Sequence, residues 1–245
     1  MFIGDKMEEL KVTPKELKQL IDDSKMIGQG FFGSVFQYKN HLIKLDKVLY
    51  SLLRSNHEIF ADEVFKDHYR FNREDMVNPK QIEILASKQK DITLTQMPKG
   101  IVRVGEHVPG IIIPYHENHQ NLSLLPKDDY ITLLKVLRKL LLSVKELADN
   151  EIAHHDLVHS DKWGRNRDYN ILYKGDTPQI IDIEGDFIAC GENFKDAEEM
   201  YNQLGNIVLG YFKTNGLTTN LTDDMITDSK KAGLLIDELE DRLHK

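Results

Sequence analysis

His154-His155-Asp156-Leu157, then Tyr169-Asn170-Ile171-Leu172, then Ile181-Asp182-Ile183-Glu184-Gly185, is the stretch whose reading decides the fold. Two acids and one asparagine are strung around a short hydrophobic hairpin that turns at Lys174-Gly175-Asp176. Asn170 opens the first strand, and Asp182 ends the second, between Ile180-Ile181 and Ile183. A carboxylate at the end of a buried strand needs compensation, and a hard divalent cation is one source. Asn170 offers a neutral oxygen to the same ion, while Asp156 is placed to orient or deprotonate a hydroxyl. Acid, asparagine and acid in this order suit the handling of a metal-bound triphosphate.

Working toward the N-terminus, Gly28-Gln29-Gly30-Phe31-Phe32-Gly33-Ser34-Val35 fits G-x-G-x-x-G-x-V. Glycines let backbone amides approach phosphate oxygens without interference from a Cβ. A dinucleotide-binding loop needs a helix directly after the third glycine. Ser34 to Tyr38 alternates like a strand instead. His41 to Leu45 is a second strand, with Leu42 and Lys44 on one face and Ile43 and Leu45 on the other. A lysine on an inward face wants an anionic partner, because an unpaired buried ammonium is costly. The phosphates of a nucleotide would supply one. For each piece alone, a plain glycine-rich hairpin and an edge lysine facing water are the competing readings. The ordered series carries more weight than any member.

The remaining elements fit around this series. Thr13-Pro14-Lys15-Glu16 reads as an N-cap with proline at the first helical position, opening a helix to about Ser24. Lys47 to Arg73 reads as helical, an insertion in the first half, and Asn78-Pro79 starts a helix through about Lys88. Ile101 to Val104 and Ile111 to Tyr115 flank a turn at Gly105-Glu106-His107. The polar run His116 to Ser123 is the candidate hinge, giving a first domain of 1–115 and a second of 116–245. Pro126 to Asn150 is a long helix whose wide apolar face predicts deep burial. Lys195 to Tyr211 and Thr222 to Leu243 read as further helices. Strands come first and helices second, which predicts an α+β fold with segregated halves rather than βαβ alternation.

Composition narrows the class. A chain of 245 residues, 40% hydrophobic and 29% charged, can build a core without staples. The net charge of −8 argues against a nucleic-acid partner. Cys190 is the single cysteine, so no intrachain disulfide forms and a reducing compartment is expected. Met1 to Leu10 mixes lysine and glutamate, unlike a signal peptide, and no apolar run reaches membrane-span length. A cytoplasmic protein with no membrane partner is the expectation.

The ordered motifs from about Ile27 to about Phe212 resemble the protein-kinase-like superfamily, in its eukaryotic-type and its aminoglycoside- and choline-kinase-type branches. The resemblance implies a two-lobed fold with a small β-rich N-lobe, a mostly helical C-lobe and ATP in the cleft. It implies that Gly28, Gly30, Gly33 and Val35 form the glycine-rich loop, that Lys44 pairs the phosphates, and that Tyr115 to Asn118 is the hinge beside the nucleotide. It likewise implies that His154-His155-Asp156-Leu157 is the catalytic loop and that Asn170 and Asp182 hold Mg²⁺. ATP and magnesium are the implied cofactors, and a protein or small-molecule hydroxyl is the implied acceptor.

Several features depart from the family pattern. The family spaces its catalytic aspartate and asparagine about five apart, whereas Asp156 and Asn170 are 14 apart. Either Val158 to Asp168 holds an insertion, or Asp161 with Asn166 sets the register and Asp161 is the base. Asp182-Ile183-Glu184 stands where the family has Asp-Phe-Gly, closer to small-molecule kinases. Gln81 falls where the glutamate that pairs the lysine is expected, and Glu83 is two places on, off that helix face. The run from Asp182 to Lys195 is short for an activation segment. His154, His155 and His159 with the two aspartates match no standard zinc spacing. The expectation is a small serine/threonine protein-kinase-like phosphotransferase. A small-molecule kinase and a nucleotide-binding pseudokinase are the alternatives.

Overall fold

A computed structural model describes residues 7–29, 33–38, 41–71, 75–126, 128–160 and 166–244. It is α+β, with a six-stranded sheet in the N-terminal half and helices after it. The chain forms two units, Met1–Lys90 with Met97–Tyr115, and Asp91–Gln96 with His116–Lys245.

The first unit contains β1 (Glu8–Lys11), α1 (Pro14–Asp22), β2 (Lys25–Gln29), β3 (Gly33–Tyr38), β4 (His41–Asp46), α2 (Lys47–Ser55), α3 (Ala61–Phe71), α4 (Pro79–Lys88), β5 (Gly100–Val104) and β6 (His107–Ile113). The sheet order is β1-β5-β6-β4-β3-β2, with β1 parallel to β5 and the other neighbours antiparallel. Local signals start the helices. The Thr13 hydroxyl accepts from the Glu16 amide at 3.2 Å while the Glu16 carboxylate accepts from the Thr13 amide at 2.7 Å, a reciprocal capping box. Asp46 closes β4 and caps α2 by accepting from the Leu49 amide at 2.7 Å. Asn78 caps α4, with Pro79 in the first turn.

The alternation expected of β4 is present. Ile43 and Leu45 join Phe36, Val102, Val104 and Ile112 in one core, sealed by Leu17 and Ile21 of α1, Leu49 and Leu53 of α2, and Phe65 of α3. The segment read as helical after Lys47 is helical, in two pieces, α2 and α3. Asn56 is extended, with φ −104° and ψ 157°, and a single 3₁₀ turn at Glu58–Phe60 leads into α3. Both helices contribute side chains to this core.

The second unit contains β7 (Gln120–Asn121), α5 (Tyr130–Asp149), β8 (Ile152–His154), β9 (Val158–Ser160), β10 (Asn166–Tyr169), β11 (Ile171–Lys174), β12 (Thr177–Ile180), β13 (Ile188–Cys190), α6 (Glu198–Thr214) and α7 (Ser229–Leu243). Helix α5 starts at Tyr130, not at Pro126, because Asp129 caps it through the Thr132 amide at 3.1 Å. Its residues Leu133, Leu137, Leu140, Val144 and Leu147 are buried, as are Leu204, Ile207 and Val208 of α6 and Leu235, Ile236 and Leu239 of α7. The α6 and α7 starts are likewise later than the expected Lys195 and Thr222; a 3₁₀ turn at Asp223–Met225 precedes α7. Asp91–Gln96 joins this unit through Glu146 of α5, whose carboxylate accepts from the Thr93 amide (2.9 Å), the Thr93 hydroxyl (2.8 Å) and the Leu94 amide (2.8 Å). Among the described residues, no helix is long and apolar enough to cross a membrane.

Candidate functional site

In the second unit a set of small hairpins brings the candidate residues together. Strand β8 ends at His154 and pairs with β13, with His154 opposite Ile188. Strands β9 and β10 are antiparallel, Val158 opposite Tyr169. Strands β11 and β12 pair from Ile171–Ile180 to Lys174–Thr177. The β9–β10 hairpin occupies the gap between Asp156 and Asn170. Because an antiparallel hairpin returns to its own root, its length in sequence costs nothing in distance. The Asn170 amide donates to the Leu157 carbonyl at 3.0 Å. Its side-chain Nδ2 donates to the Asp156 carbonyl at 2.6 Å and to the Asp156 carboxylate Oδ2 at 3.2 Å. Asp156 and Asn170 therefore meet, despite a sequence separation of 14.

His154 fixes the same backbone from below. It is fully buried. Its Nδ1 accepts from the Asp156 amide at 3.1 Å, and its Nε2 lies 3.0 Å from the Ile181 carbonyl. The amide can only donate, so Nδ1 is the bare nitrogen, and Nε2 carries the proton and donates to the carbonyl. Burial pushes the His154 pKa down, which keeps this ring neutral. His154 is thus a brace that joins the Asp156 turn to the end of the β11–β12 hairpin.

Asp182 corrects an expectation. Strand β12 ends at Ile180, and Asp182 is exposed rather than sitting at a buried strand end. The last bond of the hairpin runs from the Ile181 amide to the Asn170 carbonyl, at 2.9 Å. Asp182 follows at φ 57°, in the left-handed region. Few non-glycine residues adopt it, aspartate being among the more tolerant, and such strain collects at functional sites. The run after it is drawn back by the His155 amide, which donates to the Phe187 carbonyl at 2.8 Å. Asp182 therefore projects from a short arch pinned at Ile181 and at Phe187.

One contributor escaped sequence reasoning. Gln203 of α6 accepts with Oε1 from the Leu157 amide at 2.5 Å and from the Val158 amide at 3.3 Å. The residues lie more than forty apart, with separations of 46 and 45, so no local pattern announces the bond.

In the first unit, Gly28 on β2 is opposite Val35 on β3, and Val35 is opposite Lys44 on β4. Lys44 is half-buried on the sheet face away from the helix-covered core, next to Ile111 of β6. A Cβ at Gly33 would stand 2.9 Å from Lys44 Cγ, 3.1 Å from Lys44 Cε and 3.1 Å from Met76 Cε. The Lys44 stem therefore crosses directly over Gly33. Tyr115, the last residue of this unit, is 41% exposed. On α4, Gln81 is half-buried and Glu83 exposed. Gly30 and Asp161 lie outside the described residues, as do Trp163 and Arg165.

Among the described residues, no group of three or more His, Cys, Asp or Glu side chains is arranged to hold a metal ion. The oxygen donors that could serve a hard cation are the Asp182 carboxylate and Asn170 Oδ1, the latter left as the acceptor when Nδ2 turns to Asp156. Neither a protein-family model nor a curated protein matches this chain.

Proposed function

We propose that this protein is an ATP- and Mg²⁺-dependent phosphotransferase of protein-kinase-like, two-lobed build, acting on an alcohol group. The observation that carries the proposal is the bond from Asn170 Nδ2 to the Asp156 carboxylate at 3.2 Å. It joins a candidate base to a candidate metal ligand, and the Ile181–Asn170 bond sets Asp182 one residue further on.

In this scheme Asp156 accepts the proton of the attacking hydroxyl, the new oxygen–phosphorus bond forms at the γ-phosphorus, and ADP leaves with the electrons of the broken bridge. Asn170 and Asp182 would hold Mg²⁺, which supplies charge neutralisation at the phosphates. Magnesium is commonly bound by one or two carboxylates plus phosphate oxygens and water, and Asp182 would be the carboxylate here. Lys44 and the amides around Gly28 and Gly33 are the candidate phosphate contacts that the resemblance names. The neutral His154 takes no part in proton transfer and holds the Asp156 turn in shape.

The favoured acceptor is a protein serine or threonine hydroxyl, including one on this chain. A small-molecule hydroxyl is the second reading. It draws on the segment after Asp182, which is taken up by β13 and a 3₁₀ turn before α6 begins at Glu198. That leaves little chain for a peptide platform. Nucleotide binding without turnover is the remaining alternative, and the neutral Gln81 on α4 speaks for it.

Incubation with Mg-ATP followed by intact-mass spectrometry of the protein and of generic hydroxyl acceptors tests the proposal. Transfer of phosphate is expected in the wild type and lost in Asp182→Ala. Wild-type turnover in that variant would sink the metal assignment. ATP-induced thermal stabilisation without any transfer would establish the pseudokinase instead.

A further inference from the structure

The backbone immediately after Asp156 runs through a bend before β9 begins at Val158. Leu157 is fully buried, just before the β9–β10 pairing begins at Val158, and its amide donates to a side chain. A buried amide left without an acceptor is strongly disfavoured, so whatever meets it sets the local backbone. Gln203 meets it, together with the Val158 amide. Its own Nε2 donates to Glu199 Oε1 at 3.2 Å, one helical turn back on the exposed face of α6. Oxygen facing two donors and nitrogen facing a carboxylate admit one orientation of the amide.

We infer that Gln203, oriented by Glu199, is a positioning residue for phosphoryl transfer: it fixes the Leu157–Val158 backbone and thereby the aim of Asp156. This rests on the phosphotransfer reading above. Asp156 is held from three sides. His154 takes its amide, Asn170 takes its carbonyl and carboxylate, and Gln203 takes the two amides that follow. Two of these anchors belong to the loop and its hairpins. Gln203 ties the turn to the long helix α6. Gln203 touches no reacting atom in this arrangement, so it acts through Asp156.

The pair suggests its own test. In Glu199→Gln with Gln203→Glu, the exchanged side chains retain an acceptor for both amides and a donor–acceptor bond to each other. Gln203→Leu removes the acceptor at similar volume. The measurements are steady-state phosphotransfer and hydrogen exchange at the Leu157 and Val158 amides, in wild type, Gln203→Leu and the double exchange. The expected result is faster exchange at both amides in Gln203→Leu and a kcat lower by about tenfold or more, as misplacement of a catalytic group produces. The KM for ATP stays near the wild-type value, and the double exchange recovers both protection and kcat. Unchanged protection in Gln203→Leu would overturn the inference whatever the turnover. So would lost protection with an unaltered kcat, or a KM effect without a kcat effect. If the wild type transfers no phosphate at all, the functional reading fails and the catalytic role of Gln203 fails with it, while the exchange data still decide whether Gln203 holds the loop.

Discussion

Lys44 in the first unit and Asp156 in the second are both half-buried, yet they are held in place by different means. Lys44 rides on a regular strand. Its neighbours Ile43 and Leu45 are 1% and 0% exposed, and ladders to β3 and β6 set its register. Apolar burial against α1, α2 and α3 fixes everything about it except its side-chain rotamer. Asp156 lies in a bend where no ladder runs. Side chains do the holding there: His154 and Gln203 take backbone amides, and Asn170 takes a carbonyl. Burial is non-directional and tolerant of small errors, whereas buried polar networks work only when every member is satisfied. Damage to the first region should therefore appear mainly as lost stability, and damage to the second as lost geometry with a pH signature.

The largest stability effect is expected at Phe36. It is fully buried, stacks on Tyr50 at 5.7 Å between centroids, and lies on β3 beside Ile43 of β4. Phe36→Ala should cost about 3–5 kcal/mol, the usual range for deleting a buried aromatic ring. Urea denaturation followed by probes in each unit measures it. A loss below about 1 kcal/mol would mean that the helix-covered core is not what holds the strand of Lys44.

The two regions also differ in how far they could be read from sequence. The Thr13 cap, the alternation of Ser34 to Tyr38 and of His41 to Leu45, and the turn before Thr177 all involve neighbours in the chain. Each signal is spent within a few residues. The helical reading of Lys47 to Arg73 holds, while the break at Asn56 goes unmarked because the apolar pattern runs across it, although Ser55-Asn56 is a usable stop signal. The late start of α5 was also local, since Asp129 is a better cap than anything near Pro126. Asp182 departs from its sequence reading for a physical reason. Ile180, Ile181 and Ile183 look like one buried strand, and only the tertiary bond of Ile181 to Asn170 shows where pairing stops. The long interval between Asp156 and Asn170 looked like a defect because sequence counts residues, whereas a hairpin closes on itself. Gln203 had no signal at all, because its partners are fixed by the packing of α6 on the second unit.

An intermediate effect is expected at His154. Its bonds to the Asp156 amide and the Ile181 carbonyl are both partly buried, and His154→Ala leaves both groups without this partner. Loss of about 2–4 kcal/mol follows from two unmet groups at roughly 1–2 kcal/mol each. The wild type carries a pH signature as well. Burial lowers the folded-state pKa of His154 below its ordinary value, so the unfolded chain takes the proton first as pH falls. Stability is then full above the ordinary histidine pKa of about 6.5 and declines as pH drops through and below it. His68, buried on α3, is shifted the same way by burial and adds to the slope. In His154→Ala the acid slope should become shallower without vanishing. Denaturant midpoints from about pH 7.5 down to about pH 5 give the slope. An identical slope in variant and wild type would show that His154 is not the neutral brace described.

The smallest change in stability is expected at Gly33, and there the first region should fail in the manner of the second. Gly33 has no positive φ, so alanine meets no backbone strain, and its lower unfolded-state entropy is worth about 0.4–1 kcal/mol in favour of the fold. Against this, the new Cβ would stand 2.9 Å from Lys44 Cγ and 3.1 Å from Met76 Cε. The Met76 methyl is the far end of a flexible side chain and gives way readily, whereas Lys44 Cγ lies near the root of its side chain, so the lysine must take another rotamer. The net stability change should fall within about 1 kcal/mol of zero. The displaced group is the ammonium stem proposed to meet the phosphates. A rise in the KM for ATP at nearly constant denaturation midpoint is therefore the expected signature of Gly33→Ala. Met76→Ala frees one side of the same space and should restore part of the ATP affinity in the double variant, with a coupling energy of about 0.5 kcal/mol or more. Strict additivity of the two substitutions would mean that the glycine acts on the nucleotide directly rather than through the path of Lys44.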